Sequence, residues 1–366
     1  MDTPFYTKPA TSPEREAFNA RLSRSHAAPL WNVLGDLVPQ RPQPACRPAV
    51  WKYDEMRPLL MEAGRLITAK EAERRVLILE NPGLRGQSRI TQSLYAGLQL
   101  ILPGEIARTH RHTASALRLV IEGRGAYTAV DGERITMQPG DFILTPSWTY
   151  HDHGNPGDTP VVWMDGLDIP IVNMFDTGFA EHHPEELQPV ERPEGDSLAR
   201  YGGNLFPLDF SPSRRASPLF TYPYERSRET LDRLARTGPL DPCDAIKMRF
   251  VNPATGGYPM PAIAAFLQLL PRGFAGRPHR GTDSTVFLAI EGRGRTRIGD
   301  TAIDWKVHDI FVAPSWCPVA HTAIEEAVLF SFSDRPVQKA LGLWREERVT
   351  DSSTGSDPTP SRPEAS

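Results

Sequence analysis

Two different hydrophobic patterns divide the chain near Arg74. Before this point, apolar residues recur at helical spacing over residues 12–38, with a break at Pro29, and a second short helix is predicted over residues 54–66. Beyond it, short runs of β-branched and aromatic residues alternate with turn dipeptides such as Asp131-Gly132. Short strands at regular spacing are typical of a sandwich or a barrel, so the sequence predicts a mainly β fold with helices at its N-terminal end.

The β-rich pattern occurs twice, at a nearly constant offset. The pentapeptide IEGRG stands at 121–125 and again at 290–294, 169 residues later. The tripeptide PSW stands at 146–148 and again at 314–316, 168 residues later. Two widely separated matches at almost one offset predict the duplication of a single β-domain, whose two versions we call the first and the second copy.

These patterns predict five segments along the chain. The segments are an N-terminal helical segment (1–72), a first β-domain that carries the metal site (73–180), a connector with some helix (181–245), a second β-domain with a degenerate site (246–345) and a tail (346–366). The tail is rich in serine, proline and charged residues, a composition typical of disorder.

Composition narrows the classes of function. The 366 residues are 39% hydrophobic and 23% charged with a net charge of −4, which argues against global disorder and gives no electrostatic case for a nucleic-acid partner. No apolar run approaches the ~20 residues that cross a bilayer, and the N-terminus lacks the basic-then-apolar pattern of a secretory signal. Three scattered cysteines predict a reducing compartment without disulfides. We therefore expect a cytoplasmic protein with no membrane partner.

Four of the ten histidines form two closely spaced pairs in the first copy. His110 and His112 precede an apolar run, and His151 and His153 follow about 40 residues later. Residues two apart on a strand face the same way, so pairs on two antiparallel strands could converge inside a barrel. A single histidine on a strand is more often a core or surface residue than a ligand, but two such pairs in one domain favour a metal site.

The second copy serves as an internal comparison. Each histidine pair of the first copy is matched there by one histidine and one residue that cannot bind metal, in the arrangements His279-x-Gly281 and Val319-x-His321. We therefore predict one metal site per chain, in the first copy, and a mainly structural second copy. A degenerate site at His279 and His321 is the alternative.

The same comparison suggests which histidines are the ligands. The second copy keeps a histidine at the position of His153 and loses the one at the position of His151. If the second copy has lost metal binding, then the positions at which it has lost a histidine are ligand positions. This favours His110, His112 and His151 as ligands and places His153 beside the site.

The motifs that surround these histidines resemble the two conserved motifs of the cupin β-barrel, and two copies in one chain make a bicupin. More narrowly, the chain resembles the gentisate 1,2-dioxygenase family, whose relatives cleave salicylate and 1-hydroxy-2-naphthoate. The resemblance covers roughly residues 25–345 and is carried by RRVLILENPG, LYAGLQLILPGE, HRHTASALRLVIEG, GDFILTPSWTYHDHGNPGD and WMDGLDIPIVNMF. It implies two double-stranded β-helix (jelly-roll) barrels with N-terminal helices.

The family implies an Fe(II) cofactor held by three histidines alone. The matching ligands here are His110, His112 and His151. General cupins often carry a glutamate that three or four residues separate from His-x-His, and its absence, with Ala116 and Leu117 in these positions, is expected in this family. His153 matches a histidine near the substrate hydroxyl, and its ordinary pKa near ~6.5 suits a group that holds or moves a proton.

The family also implies a set of substrate-binding residues. Arg118 matches an arginine that contacts the substrate carboxylate, and it lies six residues beyond His112, hence on the same strand face if the strand runs unbroken. Asp165 matches a polar residue that contacts substrate, with a simple turn aspartate before Gly166 as the alternative. The other matching positions are Arg74, where the adjacent Arg75 leaves the choice open, and the pocket-wall residues Tyr95 and Gly97.

The implied activity is an extradiol-type cleavage of an aromatic ring by O2. On gentisate (2,5-dihydroxybenzoate), cleavage between the carboxyl-bearing and the adjacent hydroxyl-bearing carbons gives maleylpyruvate, a step of aromatic catabolism. The same chemistry on salicylate or 1-hydroxy-2-naphthoate is the nearest alternative. A non-catalytic ligand-binding bicupin and a metal-dependent isomerase or oxalate-type cupin enzyme are further alternatives. The family also implies a homotetramer, with the N-terminal helices as interface material.

Overall fold

The computed structural model describes residue 6 and residues 9–203, 205–211 and 215–348, and it forms two units, residues 1–44 and 45–366. The described part of the first unit contains α1 (Pro13–Arg24), a 3-10 turn (Leu30–Asn32) and α2 (Leu34–Leu37). Ser12 caps α1 because its hydroxyl oxygen accepts from the Arg15 N–H at 3.3 Å. The run predicted to break at Pro29 is interrupted earlier, since α1 ends at Arg24 and Pro29 immediately precedes the 3-10 turn.

The second unit begins with β1 (Ala49–Trp51), α3 (Tyr53–Leu66) and α4 (Ala69–Ala72), followed by the first barrel. The strands of that barrel are β2 (Val76–Ile78), β3 (Tyr95–Ile101), β4 (Ile106–His112), β5 (Ala116–Glu122), β6 (Tyr127–Val130), β7 (Glu133–Thr136), β8 (Phe142–Thr145), β9 (His151–Gly154), β10 (Val161–Leu167), β11 (Ala180–His182) and β12 (Thr221–Tyr222). They form one sheet in the order β12-β8-β5-β10-β3-β2 and a second in the order β11-β4-β9-β6-β7.

The second barrel repeats this arrangement. In the described part of the sequence, three helices stand between the main strands of the first barrel and those of the second: α5 (Ile169–Met174), α6 (Asp196–Tyr201) and α7 (Tyr224–Thr237). The strands are β13 (Ile246–Arg249), β14 (Ala264–Leu270), β15 (His279–Gly281), β16 (Thr285–Glu291), β17 (Arg293–Ile298), β18 (Thr301–Lys306), β19 (Ile310–Ala313), β20 (Val319–Ala323), β21 (Ala327–Ser333) and β22 (Glu346–Arg348), with α8 (Arg335–Ala340) before the last. The sheets have the orders β1-β19-β16-β21-β14-β13 and β18-β17-β20-β15-β22.

The prediction of a mainly β bicupin fold is confirmed, and strand pairing supports the alignment of the two copies. In the first barrel His110 on β4 pairs with His151 on β9, and in the second barrel His279 on β15 pairs with Val319 on β20. Residues 346–348, which the sequence assigns to the tail, form β22. The rest of that segment, 349–366, lies outside the described residues. No helix within the described ranges is long and apolar enough to cross a membrane.

The two barrels exchange one strand each. Strand β1, which precedes the first barrel, pairs with β19 of the second barrel, and β12, which precedes the second barrel, pairs with β8 of the first. Directly after each exchanged strand, a backbone N–H donates a hydrogen bond to an aspartate side chain of the opposite barrel. The Tyr53 N–H donates to Asp309 Oδ1 and the Tyr224 N–H donates to Asp141 Oδ1, both at 2.9 Å. The edge of β8 is thereby covered by a strand from the other half of the chain.

Each helix that follows an exchanged strand packs on its own barrel. Helix α3 lies against β3, and α7 lies against β13 and β14. Arg57 of α3 binds Glu122 at 2.9 Å, and Arg228 of α7 binds the corresponding Glu291 at 3.1 Å. In each half of the chain, a helix therefore packs on the barrel of that half, while a strand pairs with the barrel of the other half. These contacts connect the two copies within one unit.

The two arginines of this arrangement are expected to contribute unequally to stability. The side chain of Arg228 is 18% exposed and also contacts Asp232 and Glu326, whereas that of Arg57 is 47% exposed. Arg228→Met is expected to lower the free energy of unfolding by roughly 1–2 kcal/mol, and Arg57→Met by less than about 1 kcal/mol, since exposed ion pairs contribute little. Urea denaturation of both variants at equal metal loading measures this difference, and equal losses would contradict it.

Candidate active site

Three histidines of the first barrel meet at one point. His110 and His112 stand two apart on β4 and face the same way, and β9 runs antiparallel so that His151 lies beside them. Their ring centroids are 4.6 to 5.3 Å apart, and one ring nitrogen from each lies within 4.8 Å of the other two. Among the described ranges this is the one group of three or more His, Cys, Asp or Glu side chains close enough to share a metal ion.

The protonation of these rings fits a divalent metal. His112 Nδ1 lies 2.8 Å from the Ala114 carbonyl oxygen, and His151 Nδ1 lies 3.0 Å from that of Thr149. A carbonyl can only accept, so both Nδ1 atoms carry the hydrogen and both Nε2 atoms keep a lone pair for a metal. Burial lowers the pKa of His110 to about 2 and that of His112 to about 4, and lowers the pKa of His151 as well. All three rings are therefore neutral, as metal ligands must be.

His153 lies beside this group but is not part of it. Its ring centroid is 6.0 Å from that of His151 and 5.2 Å from that of Trp163 on the facing sheet. Nδ1 lies 3.0 Å from Thr128 Oγ1, while Nε2 is buried and bonds to none of the described residues. The second barrel repeats this pair, with His321 Nδ1 at 2.8 Å from a threonine hydroxyl.

Arg118 reaches the site by a route that the sequence did not indicate. The prediction that it continues the strand of His112 is wrong, because the chain turns between β4 and β5 and enters the facing sheet. There Arg118 is only 3% exposed; its Nη1 donates to Thr145 Oγ1 at 2.6 Å, and its Nε lies 3.4 Å from Asp165 Oδ1. The positive charge of Arg118 contributes to the lowered pKa of His151, which places the guanidinium within electrostatic range of the histidines.

Asp165 is a buried strand residue. The alternative that it belongs to a turn is wrong, since it lies in the middle of β10 with 5% of its surface exposed. Its Oδ1 accepts a hydrogen bond from Trp163 Nε1 at 3.0 Å. Burial raises the pKa of Asp165 to about 6, although Arg118 acts in the opposite direction. Asp165 and Arg118 thus form a desolvated ion pair on the sheet that faces the metal-binding histidines.

The choice between the two adjacent arginines is settled by their contacts. Arg74 Nη2 donates to the Arg108 carbonyl at 2.9 Å and lies 3.4 Å from His110 Nε2, whereas Arg75 points to Glu105, with Nη1 2.9 Å from Oε2. Burial lowers the pKa of Arg74 to about 10, and the neighbouring Arg118 acts in the same direction. Arg74 is therefore the arginine that stands next to the histidine group.

The pocket-wall residues lie on the neighbouring strand. Gly97 on β3 pairs with Asp165 on β10. A Cβ atom at Gly97 would lie 2.4 Å from Val76 Cγ1 and 3.1 Å from the Tyr95 hydroxyl oxygen, so this position leaves no room for a side chain without rearrangement. Burial raises the pKa of Tyr95, and the negative charge of Asp165 acts in the same direction.

The structure brings two further residues to the site that sequence reasoning missed. Thr145 is 1% exposed and binds Arg118, and the second copy has Ala313 at the corresponding position, a difference that the repeat could have revealed. His182 on β11 pairs with His110 on β4, with ring centroids 6.5 Å apart. No sequence signal indicates His182, because β11 joins the sheet from the far side of α5.

The second barrel carries different side chains at the corresponding positions. Phe287 occupies the strand position of Arg118 and stacks on Phe311, with ring centroids 4.9 Å apart. His279 Nε2 lies 3.6 Å from Asp244 Oδ1 instead of facing other histidines. The described part of the second barrel therefore offers no group of three ligands.

Comparison with known proteins agrees with this geometry. The family model for the cupin domain matches residues 97–169. Gentisate 1,2 dioxygenase 1 of Aquipseudomonas alcaligenes is 57% identical over 344 residues, which cover 94% of this chain and 99% of that protein. A gentisate 1,2-dioxygenase of Streptomyces sp is 38% identical over 329 residues, covering 87% of this chain and 91% of that protein.

A solved structure extends the similarity to the whole fold. Salicylate 1,2-dioxygenase from Pseudoaminobacter salicylatoxidans, in its adducts with gentisate, matches with a TM-score of 0.89 and 34% identity, covering 95% of this chain and 97% of that one. Two barrels, one histidine group and relatives of this similarity lead to one conclusion: the chain belongs to the gentisate 1,2-dioxygenase family of bicupin ring-cleaving dioxygenases.

Proposed function

We propose that this protein is an Fe(II)-dependent dioxygenase that cleaves the ring of gentisate between the carboxyl-bearing and the adjacent hydroxyl-bearing carbons, giving maleylpyruvate. The observation that carries the proposal is the placement of three neutral imidazoles on one sheet and a buried guanidinium, that of Arg118, on the facing sheet. A small aromatic acid between the two sheets can meet both groups at once. The resemblance to enzymes named for gentisate supports this substrate over its relatives.

The ligand set suits iron and an anionic substrate. Three neutral histidines leave the full charge of a divalent ion uncancelled, so a carboxylate and a phenolate can balance it. His110, His112 and His151 would hold the ion through one nitrogen each. When bound, Fe(II) supplies the redox chemistry that lets O2 react with an aromatic ring, which zinc cannot supply.

The protein groups bind and orient the substrate. Arg118 donates charge-assisted hydrogen bonds to the carboxylate, and Arg74, which stands 3.4 Å from His110 Nε2, adds a second positive charge near the metal. Asp165 accepts a hydrogen bond from a ring hydroxyl while its other contacts keep it fixed. Holding the ring beside the reacting centre supplies the proximity effect on which such reactions depend.

His153 holds a substrate hydroxyl. Its Nε2 is buried and has no partner among the described residues, and its Nδ1 lies 3.0 Å from the Thr128 hydroxyl. Burial lowers the pKa of His153 well below its ordinary value, so the ring stays neutral and positions the hydroxyl through a hydrogen bond instead of taking up its proton.

Three candidate acids test the substrate assignment. Protein reconstituted with Fe(II) is offered gentisate, salicylate and 1-hydroxy-2-naphthoate in turn, while dissolved O2 and ultraviolet absorbance are recorded. We expect the highest kcat/KM with gentisate and a product with the absorbance of maleylpyruvate. A higher kcat/KM with one of the other acids would reassign the substrate, and no O2 uptake with any of them would refute the dioxygenase proposal.

We further propose that the protein works in the cytoplasm as a homotetramer. The N-terminal unit supports this proposal, because α1 buries none of its residues within the chain and Leu30, Trp31 and Leu37 are at least half exposed. Sedimentation equilibrium is expected to give a mass four times that of one chain. Removal of residues 1–44 is expected to lower the number of chains in each particle, and a particle that still has four times the mass of the shortened chain would rule out these helices as the interface.

A further inference from the structure

The Arg118 guanidinium makes one side-chain hydrogen bond and one ion-pair contact within the facing sheet. Its Nη1 donates to Thr145 Oγ1 at 2.6 Å, and Asp165 Oδ1 stands 3.4 Å from its Nε. Thr145 lies at the end of β8 and pairs with Ala116, so it stands two positions along from the strand partner of Arg118. Its side chain therefore reaches the guanidinium diagonally across the sheet.

The remaining terminal nitrogen is left for a ligand. Nη2 of Arg118 donates to none of the described residues, and it is not among the buried polar atoms sealed without a partner. A guanidinium has five N–H donors in a rigid planar fork, so the hydrogen bond at Nη1 also restricts the direction of Nη2, whereas the buried Nε makes no hydrogen bond with the described residues. The hydroxyl of Thr145 thus controls where the free donors of Arg118 point.

The second copy separates residues that serve the site from residues that serve the barrel. Arg118, Thr145 and Asp165 correspond to Phe287, Ala313 and Ser331, so all three change together. In contrast, the histidine–threonine pair of the first barrel, His153 with Thr128, is kept in the second as His321 with Thr296. A threonine needed only for folding would be expected to persist in the same way, and Thr145 does not.

We propose that Thr145 is a positioning residue that orients the Arg118 guanidinium for the carboxylate of the substrate. The proposal rests on the proposed role of Arg118 as the carboxylate-binding group. Without the hydroxyl, Nη1 loses its only hydrogen-bond acceptor among the described residues, and the guanidinium can rotate away from the direction in which both terminal nitrogens meet one carboxylate. Substrate binding weakens, while the metal group on the other sheet is untouched.

Three substitutions at Thr145 test this role. Thr145→Val removes the hydroxyl at nearly constant volume, Thr145→Ala installs the residue of the second copy, and Thr145→Ser keeps the hydroxyl. We expect Val and Ala to raise KM for gentisate about tenfold with little change in kcat, in KM for O2 or in bound iron, and Ser to restore the wild-type KM. Thr296→Val removes an equally buried threonine hydroxyl from the second barrel and should leave KM unchanged.

Two outcomes would overturn the inference. An unchanged KM in Thr145→Val, or an equal rise of KM in Thr145→Ser and Thr145→Val, would show that the hydroxyl does not orient Arg118. Arg118→Met separates this failure from that of the proposed function. If Arg118→Met raises KM while Thr145→Val does not, only the role of Thr145 is refuted; if Arg118→Met also leaves KM unchanged, the carboxylate-binding role of Arg118 is refuted with it.

Discussion

His151→Ala is expected to abolish both metal binding and turnover, whereas His153→Ala should keep most of the metal and lose rate. His151 supplies one of three ring nitrogens that lie within 4.8 Å of one another. The other two come from β4, and without the nitrogen from β9 they do not form a complete site for the metal ion. Loss of a group beside a metal site typically costs 10- to 100-fold, so loss of a ligand should lower kcat/KM by at least about a thousandfold, and loss of His153 by about 10- to 100-fold. Iron content after reconstitution and O2 uptake measure the two effects.

His321→Ala is the matched control for this pair of variants. His321 is as buried as His153 and makes the same contact with a threonine, but it lies in the barrel without a metal group. Both substitutions leave a cavity and should destabilise the protein similarly, while only His153→Ala should slow turnover. Equal loss of iron in His151→Ala and His153→Ala would contradict the ligand assignment.

Arg118→Met is expected to lower kcat/KM for gentisate by about 10²- to 10³-fold, mainly through KM. Removing one partner of a buried, hydrogen-bonded charge pair typically costs 2–5 kcal/mol, and about 1.4 kcal/mol corresponds to a factor of ten. Steady-state kinetics with equal iron content measures this loss. A change of less than twofold would show that the substrate carboxylate does not bind at Arg118.

The same substitution should make stability more dependent on pH. Burial already raises the pKa of Asp165 to about 6 against the opposing charge of Arg118, so removing that charge raises this pKa further. When the pKa of a carboxyl group is higher in the folded than in the unfolded protein, the folded protein loses stability as the pH rises from the unfolded pKa to the folded pKa. Arg118→Met should therefore be less stable at pH 8 than at pH 5 relative to wild type. The Asp165→Asn substitution in the same chain should remove this pH dependence without restoring KM.

The three metal-binding histidines were predictable because residue spacing and the internal repeat, which are both visible in the sequence, indicate them. A spacing of two residues places His110 and His112 on one strand face, and a second pair later in the same domain suggests a neighbouring strand. The repeat then distinguished His151 from His153, since only the first is lost in the second copy. These inferences need periodicity and alignment alone, and the contact geometry of the three rings agrees with them.

The other residues of the site depend on how the barrel closes. Arg118 lies in the sheet that faces the histidines, because the chain leaves β4, turns and starts β5 before this position. Whether Arg74 or Arg75 faces inward depends on Glu105, which binds the second of them from 30 residues away. Contacts between segments that are far apart in the sequence determine these orientations, and such contacts produce no local sequence pattern.

The strand exchange was equally hidden from the sequence. Ala49 pairs with Val312, and Thr221 pairs with Ile143, across separations that no periodicity connects. The sequence placed the first of these segments in a helical region and the second in a connector. In the structure both complete the opposite barrel, and β12 borders β8, the strand that carries Thr145. This pairing places a strand of the connector beside the strand that carries Thr145.

The central claim is that one chain brings iron, O2 and a hydroxylated aromatic acid together in the first barrel. Its most direct test is the reaction of Fe(II)-reconstituted protein with gentisate under ¹⁸O2, with O2 consumption and product mass measured in the same sample. We expect one O2 to be consumed for each ring opened and both labelled atoms to be incorporated on cleavage, apart from exchange with water. Ring opening without O2 consumption, or incorporation of a single labelled atom with a second reductant required, would contradict it.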